Sequence, residues 1–434
     1  DTINNFDTAT DVDVVGSTSR FFKLNRKKLS NYSELGSAIG LRIDDISPQF
    51  SKAEADPQEF VNISRINFNQ PYTNYLFKVN NLDGTEVQVT NLIVLNDKDN
   101  NNSFILDKAS LSNDGSDDLH TSFENEYGEF TIESDAYDES FLRFKPVDPF
   151  DTEYDIKIIE KRFDPGFNIS TSTSSIGFID ITTNIREVIT GETTTILGVS
   201  TNTTNSLYVN VHISQETDNK ANFAELYVTH DGTDTNIAEY YFDTSEFNRS
   251  VNKIGNFSAT IENGLLKLNY ENETSSDVIV RSKIVGFGTT STAGISSTFR
   301  FRNFGQPIGN ERSAIYEVGF TTTTAGLSTS ILSLNKFNFN SAKSLVEVGV
   351  GTMKSVHQVL MIQDASDVYV KETQFITVGN ETGIGTFGGQ FDGSNQFELV
   401  FYPDNNITDD INISTLNECL YTTTDFANDP DDFI

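Results

Sequence analysis

Three stretches of this 434-residue chain share one pattern. Each has a bulky residue, a Gly, any residue and then a Phe: Tyr127-Gly128-Glu129-Phe130, Ile254-Gly255-Asn256-Phe257 and Ile384-Gly385-Thr386-Phe387. Eleven or twelve residues beyond the Phe, an alternating run carries a Leu: Leu142, Leu268 and Leu399. A Gly inside a strand weakens it, so its recurrence marks a bulge or a close approach of neighbouring atoms. The pattern therefore predicts one β-unit used three times, with the three Gly at equivalent strand positions and Phe130, Phe257 and Phe387 buried. The copies are long and not contiguous, which argues for beads on a string and against a solenoid.

The surrounding sequence supports this reading. Leu207, Val209, Val211 and Ile213 alternate strictly, and Leu226 to Gly232 runs from a strand into an Asp-Gly turn. The third copy keeps the order, with Leu345 to Val350, Leu360 to Asp364 and Glu372 to Ile376. Asp231 to Glu239 and Asp364 to Glu372 span the same distance. In the first copy, Tyr75, Phe77 and Val79 alternate up to the turn Leu82-Asp83-Gly84-Thr85. Such alternation predicts strands with one buried and one wet face. The fold class expected is all-β: tandem β-sandwich (jelly-roll or Ig-like) domains behind an extended N-terminal arm. The boundaries fall at 1–70 for the arm, then 71–166, 167–288 and 289–434 for the three sandwiches. Gly286 to Thr298 reads as a linker, and Phe299 to Ile331 as an extra apolar segment before the third unit.

Charge narrows the partners. A net charge of −33 and a pI near 4.3 oppose binding to nucleic acid and to anionic membranes. The exception is local: Arg20, Phe21, Phe22, Lys23, Arg26, Lys27 and Lys28 form a basic, apolar cluster in the arm. Residues 1–70 have scattered apolar residues and weak periodicity, so the arm is expected to dock on an acidic neighbouring chain. A single Cys, Cys419, rules out an intrachain disulfide and reads as core. No run of apolar residues is long enough to span a membrane as a helix. The chain opens at Asp1 without a signal-like stretch, which reads as a processed chain or a portion of a longer one.

Chemistry is hard to find. The four His residues, His120, His212, His230 and His357, match no metal-binding spacing. His230 precedes Asp231-Gly232 and reads as part of a turn. Asp97, Asp99 and Asn101 have the spacing that opens a calcium loop, but Lys108 stands where a closing Glu is needed, so a hairpin turn is the expectation. The run from Gly383 to Gly389 lies within the repeat and reads as a bulge or tight packing rather than a phosphate cradle. No nucleophile elbow or P-loop is present. The sequence thus predicts no catalytic residues, no cofactor and no metal.

The order Leu226 to Gly232, Glu239-Tyr240, Gly255 to Phe257 and Leu265 to Leu268 resembles a module of virion structural proteins of tailed phages, in particular marine cyanophages. The third unit shares it in part, and the first keeps only the Gly-x-Phe half. The resemblance implies a structural, non-enzymatic subunit in the tail region of a virion (fibre, baseplate or neck). Its expected partners are other virion proteins and copies of itself. Alternatives are a surface adhesin binding a host glycan and a capsid-surface decoration protein. The family's role is contact, so no functional residues carry over.

Overall fold

The computed structural model describes residues 41–45, 61–66, 72–81, 87–97, 102–112, 124–125, 128–134, 140–146, 154–163, 172–176, 179–215, 220–243, 254–288, 299–302, 314–364, 366–379 and 383–421. Every regular element among them is a strand. The second unit shows the plan. Its large sheet orders β10 (Ser172–Ile176), β11 (Ile179–Val188), β18 (Val278–Gly288), β13 (Thr204–Gln215), β14 (Lys220–His230) and β15 (Thr235–Asp243). Facing it, β12 (Thr193–Ser200), β17 (Leu265–Asn272) and β16 (Gly255–Glu262) form a small sheet. All pairings are antiparallel, and one apolar cluster fills the space between the sheets.

The third unit repeats this arrangement strand for strand. Its large sheet is β19 (Phe299–Arg302), β20 (Ala314–Thr323), β27 (Ile411–Tyr421), β22 (Phe339–Val350), β23 (Met353–Gln363) and β24 (Val368–Val378). Its small sheet is β21 (Thr329–Asn335), β26 (Gln396–Pro403) and β25 (Gly385–Phe391). In the first unit the large sheet orders β1 (Leu41–Asp45), β9 (Tyr154–Phe163), β3 (Tyr72–Asn81), β4 (Val87–Asp97) and β5 (Asn102–Ser112). The small sheet there is β2 (Val61–Arg65), β8 (Ser140–Pro146), β7 (Gly128–Ser134) and β6 (Glu124–Asn125).

The all-β expectation therefore holds, with pairs of antiparallel sheets making sandwich-like units. Three segment readings change. Residues 41–45 pair with β9 and 61–65 with β8, so the first unit begins inside the stretch assigned to the arm. Those two strands are only five residues each and gain their order from the neighbours they complete, which hides them from a periodicity search. Phe299 to Ile331 is no extra segment, because β19, β20 and the start of β21 match β10, β11 and the start of β12. β18 runs on to Gly288, past the start of the presumed linker, and its Phe287 is fully buried. The basic cluster Arg20 to Lys28 lies outside the described residues.

The repeated motif has the same register in all three units. Gly128, Gly255 and Gly385 stand opposite Pro146, Asn272 and Pro403; Phe130, Phe257 and Phe387 stand opposite Phe144, Tyr270 and Phe401. Ring centroids of these three cross-strand pairs lie 5.1, 4.9 and 5.4 Å apart. Phe130 and Phe257 are buried as expected, while Phe387, expected to be buried, is half-buried against its core. The partner ring explains the Gly. A Cβ on Gly255 would stand 2.1 Å from the Glu271 carbonyl and 2.6 Å from the Tyr270 hydroxyl. One on Gly385 would stand 2.3 Å from the Tyr402 carbonyl and 2.6 Å from Phe401 Cζ. No bulge interrupts β16–β17 or β25–β26, so the Gly-rich run marks close packing.

The fully buried Leu142, Leu268 and Leu399 also share a feature. In each unit the strand opposite them is bulged, and the extra residue is Ile63, Ile196 or Ile331. A bulge at a fixed place bends the strand and increases its local twist. In the second unit the Asn184 side chain donates to the carbonyl of Ile196, fixing the bulge to β11. Replacing Gly255 with Ala should destabilise the chain by about 1–3 kcal/mol through overpacking. Denaturant unfolding of the G255A chain would measure this.

Candidate functional site

Alternation along the middle strands suggests one wet face, yet β22 is buried along its whole length. The outward faces of the large sheets are covered because the units pack on one another. Unit two meets unit three through Tyr208, Tyr227, Tyr240 and Phe287 against Leu345, Val356, Ile376 and Leu416. Unit one meets unit three through Leu76, Val87, Val89 and Leu111 against Leu360, Ile362 and Leu420. The beads are thus joined face to face, which the long spacing of the repeat does not reveal.

Polar groups tie these faces together. Tyr227 Oη lies 3.1 Å from Gln358 Oε1 and 2.5 Å from Gln374 Oε1. Burial, with smaller effects from Tyr208, Glu225 and Tyr240, pushes the Tyr227 phenol well above its ordinary range, so it stays a donor. Asn236 donates to the Thr377 carbonyl at 2.7 Å, and Lys371 to the Ser110 carbonyl at 3.2 Å. The Asn91 amide, oriented to its partners, accepts from Lys343 Nζ at 3.2 Å.

The register places three ionisable residues at one repeated position. Lys78, His212 and Glu347 occupy the middle strand of each large sheet on its outward face, opposite Val89, Phe223 and Val356. Their relative exposures are 0, 4 and 1%. Buried ionisable groups at interfaces shift their titration instead of carrying a bare charge. Burial, with Arg281 opposite it, lowers His212 from 6.5 to about 3. Burial raises Glu347 from 4.5 to about 7.

The other sequence candidates have structural positions. His230 is buried at the end of β14. Its Nδ1 accepts from the Gly232 amide at 3.1 Å, so Nε2 carries the proton given to the Thr204 carbonyl at 2.6 Å. Burial holds its pKa below 6.5, so it is a neutral staple between a turn and the start of β13. Asp231 Oδ1 accepts from the amides of Thr233 and Asp234 at 2.8 and 2.7 Å; Asp364 Oδ1 accepts from Ser366 and Asp367 at 2.9 and 2.8 Å. The matched offsets in sequence are thus one turn built twice. Asp97 ends β4 at the matching place, while Asp99 and Asn101 lie outside the described residues. So does His120. Cys419 is buried in the third core.

One constellation escapes any motif search. His357 Nε2 lies 2.7 Å from Ser355 Oγ, and Nδ1 lies 2.7 Å from Glu372 Oε1. This is the order of a nucleophile, base and orienting carboxylate. Ser355 is wholly buried on a strand paired on both sides, and Phe387 packs edge-on to His357 at 5.0 Å. A reacting serine needs a substrate at Oγ and free donors for the oxyanion. Neither is available in that ladder, and we read the set as a strut between β23 and β24. Only the alternating spacing of Ser355 and His357 was visible beforehand; Glu372 is brought in by the register. Among the described residues no group of three or more His, Cys, Asp or Glu is placed to hold a metal, and no helix is long and apolar enough to cross a membrane. No family model, curated protein or solved structure matches the chain.

The depressed His212 pKa has a signed consequence. Its neutral form is favoured by folding, so its contribution is complete above pH 6.5 and is lost as pH falls towards about 3. Thermal melts of wild type and H212Q between pH 7 and pH 4 should differ in slope, with the variant falling less steeply.

Proposed function

We propose that this chain is a structural, non-enzymatic subunit of a tailed-phage virion, associated with the tail. The observation that carries this reading is the use of one sandwich three times, with its conserved register spent on packing and its outward faces spent on contact between units. Such an assembly is stiff and presents large strand-built surfaces to neighbours. The resemblance of Leu226 to Leu268 to modules of virion proteins points the same way. Its strongly acidic composition favours contacts with other proteins over nucleic acid. Its partners are then other virion proteins and copies of itself, and the particle is its location.

The test is to purify particles on a density gradient, identify the chain by mass spectrometry, and place it with a labelled antibody. Stoichiometric presence at the tail is expected. Absence from intact particles would overturn the proposal. Label on the capsid surface would favour the decoration reading, and selective binding on a glycan array the adhesin reading.

A further inference from the structure

Glu347 stands where the second and third units meet. It lies on β22, opposite Ser414 on β27 and Val356 on β23. Its carboxyl bonds to the side chains of Ser414 and Asn205, and Asn205 belongs to unit two. Its Oε1 is buried without a hydrogen-bond partner. A carboxylate in that position would leave charge on an unsolvated oxygen, whereas a neutral carboxyl would not.

The facing groups are few. From β23, Lys354 is the cation that acts on it, and the Lys354 stem crosses Gly349, its Nζ 2.6 Å from where a Cβ would stand. From β27, Ser414 faces it directly, while the Lys343 and Glu418 pair lies two rows further along the same face. β24 contributes the apolar Ile376 and Val378 opposite Val356 and Lys354. From unit two come Asn205, the Tyr227 phenol in the shared cluster, and neutral His230, which itself feels Lys354 and Asp231.

We propose that the proton on Glu347 is a latch between units two and three: the neutral carboxyl holds the two faces together, and its ionisation loosens them. Burial raises this carboxyl to about 7, against opposing effects of Lys354, Ser414 and Asn205. Folding thus favours the protonated form, so the latch is fully engaged below pH 4.5 and is lost as pH rises through about 7.

Hydrogen exchange of the whole chain tests this, with rates corrected for the intrinsic effect of pH. Between pH 5 and 7, the ratio of opening in the wild type to opening in E347Q, read at β22–β23, should rise about tenfold per pH unit. E347Q keeps the shape and neutrality of the protonated acid, and the comparison with it cancels the separate pH dependence that His212 on β13 gives to both chains. K354Q should move the wild-type transition to higher pH. Equal pH dependence in wild type and E347Q would overturn the proposal, as would a K354Q transition left in place. A carbon-13 titration placing the Glu347 carboxyl at its ordinary 4.5 would overturn it without any variant.

Discussion

An aromatic ring laid against a bare glycine backbone is the contact on which the second and third sandwiches depend. Tyr270 occupies the space that a side chain at Gly255 would need, and Phe401 does the same at Gly385. The ring is then free to meet the Phe two residues further along, at 4.9 Å in one unit and 5.4 Å in the other. An aromatic pair of this kind adds about 0.5–1.5 kcal/mol beyond the area it buries. It also fixes register, since slipping one strand by a residue would turn its ring out of the core and break the pair. A bulge stands opposite Leu142, Leu268 and Leu399 in every unit and bends the strand there.

With the cores closed in this way, the outward faces of the large sheets become the means of joining units. Two such joints follow the same logic, an apolar cluster crossed by a few amide, phenol and lysine hydrogen bonds. The repeated position on the middle strand carries Lys78, His212 or Glu347, so one structural site has diverged into three ionisable types. His212 penalises low pH and Glu347 penalises high pH. Between them, stability at these two sites is greatest at mildly acidic pH.

The inner architecture was legible because it is local. Gly-x-Phe, the trailing Leu and the Asp-led turns each lie within one hairpin, and their spacing translates directly into register. The outer faces were not. Lys343, Glu347, Gln358 and Glu418 alternate with apolar residues and so imitate a solvated face, although all four are buried. Burial there depends on a neighbouring unit more than a hundred residues away, as the Tyr227–Gln358 bond shows. The short strands at 41–45 and 61–65 were hidden for a related reason, because their order comes from pairing with β9 and β8 and not from their own pattern. The Ser355–His357–Glu372 set shows the converse: familiar geometry without access.

If the units form one interlocked body, damage to a single joint must be felt on both sides of it. Hydrogen exchange of the full chain after Tyr227→Ala measures this directly. Protection should fall in β23 and β24, which carry Gln358 and Gln374, as well as in β14, where the substitution lies. Loss of protection confined to the strands of the second unit would contradict the account and return the chain to independent beads.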